Sequence, residues 1–236
     1  DQAGAIAGMA VRAGSLTDRS AFERAVFQGR STIAARPARR WKGADAALVD
    51  QMHGLDPAGA YMAHLPVEIG EFQIPPKQIE DLLPQQLLAL KVGAAALVDA
   101  GLAVHETRER MGVVVGIEFD FEATNFHLRW QLFEAAARWN REHRLNLDEQ
   151  ALATWRERLR DQCGPPLTPS RGVGALGGIV ASRMAREFGF GGPGFVVSAG
   201  AASGVKTLQV AMDLLQQGSV DAMLVAAVDL AGEGRR

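Results

Sequence analysis

Residues 196–208 read VVSAGAASGVKTL. Two β-branched residues run into a turn of small residues, and apolar spacing of helical period follows at once. Strand-to-helix turns of this kind are where many enzymes mount a nucleophile. The helix N-terminus there directs backbone N–H groups and the positive end of a dipole at one point. Yet Ser198-Ala199-Gly200-Ala201-Ala202-Ser203-Gly204 contains no thiol and only two hydroxyls. The turn is built like a catalytic turn and carries no evident catalyst.

Working outward, Phe195–Ser198 is predicted as a strand, Ala201–Gln217 as a helix and Ala222–Leu230 as a buried strand. That is a βαβ unit in about 35 residues. Upstream, Met111–Ile117 is a continuous apolar run of strand length, as expected of a strand covered on both faces. Ile79–Gly101 predicts a long helix with Leu83, Leu87, Leu90, Ala94 and Leu97 at helical spacing and Gly101 as its stop. Pro84 either kinks that helix or marks its true first turn. Alternating buried strands and helices define an α/β layered fold.

Five further segments complete the reading. Ala5–Met9 is expected to be a short buried strand. Thr17 or Asp18 should cap a helix that carries Phe22, Val26 and Phe27 on its inner face and stops at Gly29. A helical insertion at about 121–162 reads as two helices joined near Asn146. One has a stripe of Phe126, Trp130, Phe133 and Ala137, and the other of Leu152, Trp155 and Leu159. Val173–Phe188 resumes as a helix. Residues 30–76 form a loop-rich excursion with a short strand around 60–65.

Composition narrows the function classes. The 236 residues are 47% hydrophobic and 22% charged, enough for a sizeable core. A net charge of −2 gives no electrostatic case for nucleic acid. The one cysteine, Cys163, excludes an intrachain disulfide framework and fits a reducing cytoplasm. No secretory signal is expected from the Gly/Ala-rich start, which Arg12 interrupts. The longest uncharged run, Gly189–Val205, is rich in glycine and holds Pro193, so it reads as turn and strand rather than a membrane span. Histidines 53, 64, 105, 127 and 143 show no metal-ligand spacing, and no metal or cofactor is expected.

Three motifs are weaker than they look. Gly172-Val-Gly174-Ala-Leu-Gly177 matches G-x-G-x-x-G, but prolines 165, 166 and 169 precede it where a nucleotide site needs a strand. Close helix packing is the better reading. Arg36, Arg39, Arg40 and Lys42 around Trp41 read as a solvated loop whose tryptophan plugs the core. Cys163, in a Gly/Pro loop, reads as a structural thiol.

The chain resembles the β-ketoacyl synthases. In that family a Gly-Pro opens a strand ending in Asp-Thr-Ala-Cys-Ser-Ser; here Gly192-Pro193-Gly194-Phe195-Val196-Val197-Ser198 stands in that place. Ala5–Met9 resembles the family's opening strand. Asp81-Leu-Leu-Pro84-Gln85-Gln86-Leu87-Leu88 resembles its Asp-Pro-Gln-Gln helix, which accounts for Pro84, and Asp99-Ala-Gly101 the end of that helix. Ser219–Asp229 resembles the strand after the nucleophile helix. Arg39–Gly43, Ile74-Pro75-Pro76 and Leu83–Leu88 bring the match nearest to the chain-length-factor-like ketosynthase domain of bacterial polyunsaturated fatty acid synthases and related polyketide and glycolipid synthases.

The resemblance implies a thiolase-like layered α/β fold, five layers (αβαβα) when both halves are present, with this chain covering mainly the first half. It places the nucleophilic cysteine on Ala201, whose methyl group forms no thioester, and leaves Ala199, Gly200, Ala201 and Ala202 as a vestigial acyl site. Ser203 lies two helical positions on, about 200° around the axis, so it does not substitute. Ser198 reads as a cap or turn residue. The family's two catalytic histidines and its lysine belong to the second half, and no histidine here matches their His-Gly-Thr or Asn-x-Gly-His contexts. The strand Gly194, Phe195, Val196, Val197 and Ser198 is implied to lie at a dimer interface.

Three functions follow as expectations. One is a non-catalytic partner that pairs as a dimer with an active ketosynthase, or with itself, and shapes the acyl tunnel, with acyl carrier protein as a further partner. Another is a cysteine-free enzyme such as a decarboxylase of malonyl carrier protein; that is less consistent, because known decarboxylases of this type have glutamine where Ala201 stands. The last is a purely structural part of a synthase.

Overall fold

The computed structural model describes residues 4–38, 54, 58–62, 64–118, 125–164 and 166–230. Among them the strands are β1 (Met111–Ile117), β2 (Gly194–Val197) and β3 (Ala222–Val228). The helices are α1 (Arg19–Phe27), α2 (Pro76–Ile79), α3 (Pro84–Asp99), α4 (Asn125–Glu142), α5 (Glu149–Gln162), α6 (Pro169–Gly174), α7 (Val180–Phe188) and α8 (Ser203–Gln216). A 3₁₀ turn covers Gly177–Ile179.

The sheet is parallel, in the order β2-β1-β3. Central β1 is buried along its whole length, as its uninterrupted apolar run predicts. Val113, Val114 and Val115 are fully buried, worth about 1.5–3 kcal/mol each. Helices α3 and α7 cover one face. Leu90, Leu97, Met184 and Phe188 pack there against Val113, Val115, Leu224 and Val228. Gly93 lets α3 approach: a Cβ there would lie 2.7 Å from the Met184 methyl. Helix α8 covers the other face through a stripe of Ser203, Thr207 and Ala211, spaced four residues apart.

Several expectations hold in detail. Pro84 opens α3 at its first position, and Gly101 follows its end at φ +72°. Asp18 caps α1 by accepting from the Ala21 N–H. The hairpin of α4 and α5 turns where expected, with Asn146 at φ +53° and the Asn140 amide bonded to both the N–H and the C=O of Leu147.

Others need correction. Ala5–Met9 is not a buried strand: Ile6 is 74% exposed, and the segment runs extended over the end of α3, where Gly8 abuts Ala96 and Ala100 and the Met9 N–H donates to Asp99. Helix α1 buries Ala25 and leaves Phe22, Val26 and Phe27 exposed, so the supposed inner face has no cover among the described residues. The described residues of the stretch 60–65 form no strand; a single bridge joins Gly59 to Ala34. The helix expected over 173–188 is broken into α6, the 3₁₀ turn and α7: the Gly174 carbonyl accepts from the Leu83 N–H and the Gln86 amide, and Gly174 packs directly against the Asp81 carbonyl, where a side chain has no room. That contact is the close packing expected of the G-x-G-x-x-G segment. Trp41 with Arg39, Arg40 and Lys42, and the side chains of Phe126 and His127, lie outside the described residues.

Candidate functional site

The turn between β2 and α8 sits at the C-terminal edge of the parallel sheet, where α/β folds gather their sites. Val197 ends the strand, and α8 begins six residues later at Ser203, with Ala202 as its N-cap. Ser198, Ala199, Gly200, Ala201 and Ala202 are all exposed. Gly200 has φ +58°, a conformation that reverses the chain and suits glycine. A bridge between Ala199 and Ala201 closes the reversal. Ala201, read as the nucleophile position, therefore sits at the open tip of the turn, just before the helix.

Ser203 holds this tip together. Its hydroxyl oxygen accepts from the Ala199 N–H at 2.9 Å and lies 2.7 Å from the Gly200 carbonyl and 3.3 Å from Glu118 Oε1. One hydroxyl proton serves one of those two oxygens at a time. Ser203 is 6% exposed, so it is a lock inside the turn and not a reagent facing outward. Sequence reasoning set Ser203 aside as a substitute nucleophile and missed this role. The available signal was a small hydroxyl residue at a helix start, the usual place for bonds that satisfy free N–H groups.

Beneath the turn, Gly116 on β1 sets how close α8 comes. A Cβ at Gly116 would stand 2.8 Å from Thr207 Oγ1 and 2.9 Å from the Ser203 carbonyl carbon and oxygen. The Thr207 hydroxyl donates back to that Ser203 carbonyl at 2.7 Å. The helix start, with its free N–H groups and positive dipole end, is thereby pressed onto the sheet directly behind Ala201. At the tip itself Ala201 brings no thiol; the Ala202 and Ser203 N–H groups bond the carbonyls of Ala199 and Gly200, and the Glu118 carboxylate lies 3.3 Å from the Ser203 hydroxyl. Cys163 lies elsewhere, half-buried at the end of α5, and His143 is exposed beyond the end of α4.

The strand leading into the turn lies at an edge of the described sheet. The Val113 N–H donates to the Pro193 carbonyl at 2.9 Å, and Val113 aligns with Gly194. In a parallel ladder alternate residues turn their polar groups to opposite sides, so Phe195 and Val197 bond β1 while Gly194 and Val196 direct theirs to the open edge. Phe195 is 36% exposed. Across α8 a second stripe stands uncovered: Val205 is 74% exposed, Leu208 46% and Met212 48%.

Among the described residues no group of histidine, cysteine, aspartate and glutamate stands close enough to hold a metal ion. No described helix is long and apolar enough to cross a membrane.

Comparison with known proteins agrees with this geometry. The model of the β-ketoacyl synthase N-terminal domain matches residues 4–235. The chain is 31% identical over 232 residues to a polyunsaturated fatty acid synthase subunit of Thraustochytrium sp., covering 97% of this chain and 10% of that protein. Among solved structures it resembles the PfaC keto synthase-chain length factor at TM-score 0.78 and 25% identity, over 97% of this chain and 24% of that one. The ishigamide ketosynthase/chain length factor shares the fold at TM-score 0.59 and 19% identity, over 97% of this chain and 53% of its own. The chain thus spans about a tenth of the curated relative and about a quarter of the PfaC chain. With that match along nearly its whole length, the chain belongs to the β-ketoacyl synthase family and carries the N-terminal half of its thiolase-like fold.

Proposed function

We propose that the chain is a non-catalytic, chain-length-factor-type ketosynthase-like element of a fatty acid or polyketide synthase, which pairs with an active ketosynthase and helps shape its acyl tunnel. The observation that carries this reading is Ala201 at the tip of an otherwise intact nucleophile turn. Gly200 keeps its positive φ, Ser203 keeps the turn closed and Gly116 keeps the helix start against the sheet. A turn retained in this form without a thiol suits a wall of the acyl channel rather than a site of thioester formation. Among the described residues the backbone groups of Gly194 and Val196 at the β2 edge have no ladder partner, and pairing with a second ketosynthase-like sheet would satisfy them.

Two measurements test it. Incubating the intact protein with a labelled acyl thioester should leave residues 198–204 unmodified, as read by peptide mass. Co-expression with a cysteine-bearing ketosynthase, with and without this chain, should then change the length of the product. Stoichiometric acylation within that turn would falsify the non-catalytic reading; an unchanged product length would leave only a structural role.

A further inference from the structure

The hairpin of α4 and α5 is held together by a narrow seam. Leu132 and Ala136 are buried in it, and the Trp139 and Trp155 rings meet at 6.2 Å. The aromatic stripe singled out in the sequence lies outside that seam. Trp130 is 77% exposed and Phe133 62%. With Leu167, 54% exposed, they line a groove of about 610 Å³ between the two helices and the loop that follows.

The charge around this apolar floor is one-sided. Arg129, Arg156 and Arg160 line the groove, with Glu157 as the one carboxylate among the described lining residues. Arg129 reaches across from α4 to the carbonyls of Arg160 and Gly164 at the end of α5, which braces the groove wall. The Arg156 guanidinium stacks over Phe133 at 3.9 Å from the ring centroid, and its Nε is buried without a hydrogen-bond partner. No carboxylate among the described residues pairs with Arg156 or Arg160.

We infer that this groove is a docking site for an amphipathic helix of a partner protein, one that bears carboxylates along both flanks of an apolar stripe. A helix laid along the groove covers Trp130, Phe133 and Leu167 with its apolar face. Its flanking carboxylates meet Arg156 and Arg160, giving those guanidiniums the partners that the described residues do not supply. Exposed aromatic and arginine side chains around a concave floor are the residue types that dominate helix-in-groove binding. The site is concave, which suits a single helix better than the broad surface of an anionic membrane. The surface lies on the hairpin and includes no residue of β2, so it stands apart from the pairing edge proposed above.

The test uses the intact protein and a fluorescent 18-residue helical peptide with a leucine stripe flanked by glutamates, compared with the same peptide carrying lysines. The glutamate peptide should bind saturably, more weakly as salt rises, and about tenfold or more tighter than the lysine peptide. Arg160→Glu alters an exposed side chain and should lower that affinity about tenfold with an unchanged melting temperature. Trp130→Ala should weaken it too, while Val196→Pro should not. Equal binding of the two peptides, or indifference to Arg160→Glu, would overturn the inference. So would preferential binding to phosphatidylserine vesicles, or self-association abolished by Arg160→Glu, since either assigns the groove to another occupant.

Discussion

The Ser203 hydroxyl accepts the Ala199 N–H at 2.9 Å, closing the turn behind Ala201 from inside. Its other neighbours, the Gly200 carbonyl and Glu118, place it among three polar groups at the end of the sheet. Ser203→Ala removes the acceptor and keeps the volume nearly constant. It should cost about 0.5–1.5 kcal/mol in urea unfolding and speed amide exchange at Ala199. Unchanged exchange there would mean that the backbone alone holds the turn.

Gly116 and Thr207 give a sharper case, because the clash is with backbone as well as side chain. Gly116→Ala puts a methyl 2.8 Å from Thr207 Oγ1 and 2.9 Å from the Ser203 carbonyl. Overpacking of this kind costs about 1–3 kcal/mol. Adding Thr207→Ala should recover only part of the loss, since the Ser203 carbonyl remains. Complete recovery in the double variant would show that the helix start moves freely and that its closeness to the sheet is not built in.

At the opposite end of the sheet, Arg110 before β1 meets Asp221 before β3 through its Nε at 2.9 and 3.0 Å and an ion pair at 2.9 Å. The hydrogen bond from Arg110 is the main cause holding the Asp221 carboxyl below its ordinary value; exposure keeps the effect small and open to salt screening. The sign follows from linkage. A carboxyl lowered on folding adds stability above its unfolded pKa and loses it as pH falls through the folded value. Asp221→Asn should therefore melt slightly below the parent at neutral pH and low salt. The two curves should converge under strong acid and in high salt, and a gap that widened on acidification would contradict the assignment.

The sheet and its covering helices were legible because their signals are local. An unbroken apolar run such as Met111–Ile117 has one good environment, and a proline at Pro84 has one easy place in a helix. Amphipathic surfaces were harder. Phe22, Val26 and Phe27 on α1, and Trp130 and Phe133 on α4, are apolar enough to demand cover, but periodicity does not say whether this chain provides it. Helical spacing picks out the Trp130 stripe, whereas the seam with α5 is made by Leu132 and Ala136. At the break between α6 and α7 the Gly174 carbonyl is bonded by the Gln86 amide, 88 positions away in the chain, which no local pattern encodes. At the turn, the likeness to ketosynthases led to Ala201, while the lock made by Ser203 appeared only with its bonds.

The pairing edge offers the most discriminating substitution. Val113 bonds Pro193, so the ladder to β1 uses Phe195 and Val197 and leaves the Val196 N–H directed outward. Val196→Pro consequently removes a donor from the open edge and none from the ladder to β1. Proline is tolerated in edge strands when its missing N–H faces away from the neighbour. The variant should keep the parent's circular dichroism, with a modest loss of melting temperature from the half-buried Val196 side chain. Pairing through residues 194–198 should weaken about tenfold or more, because each partner's strand loses a bond and meets a ring at the seam. Sedimentation of the intact protein, alone and mixed with a cysteine-bearing ketosynthase, reads this directly. A folded Val196→Pro protein that associates as tightly as the parent would place the pairing surface elsewhere. The exposed Val205, Leu208 and Met212 stripe of α8 would then be the next surface to substitute.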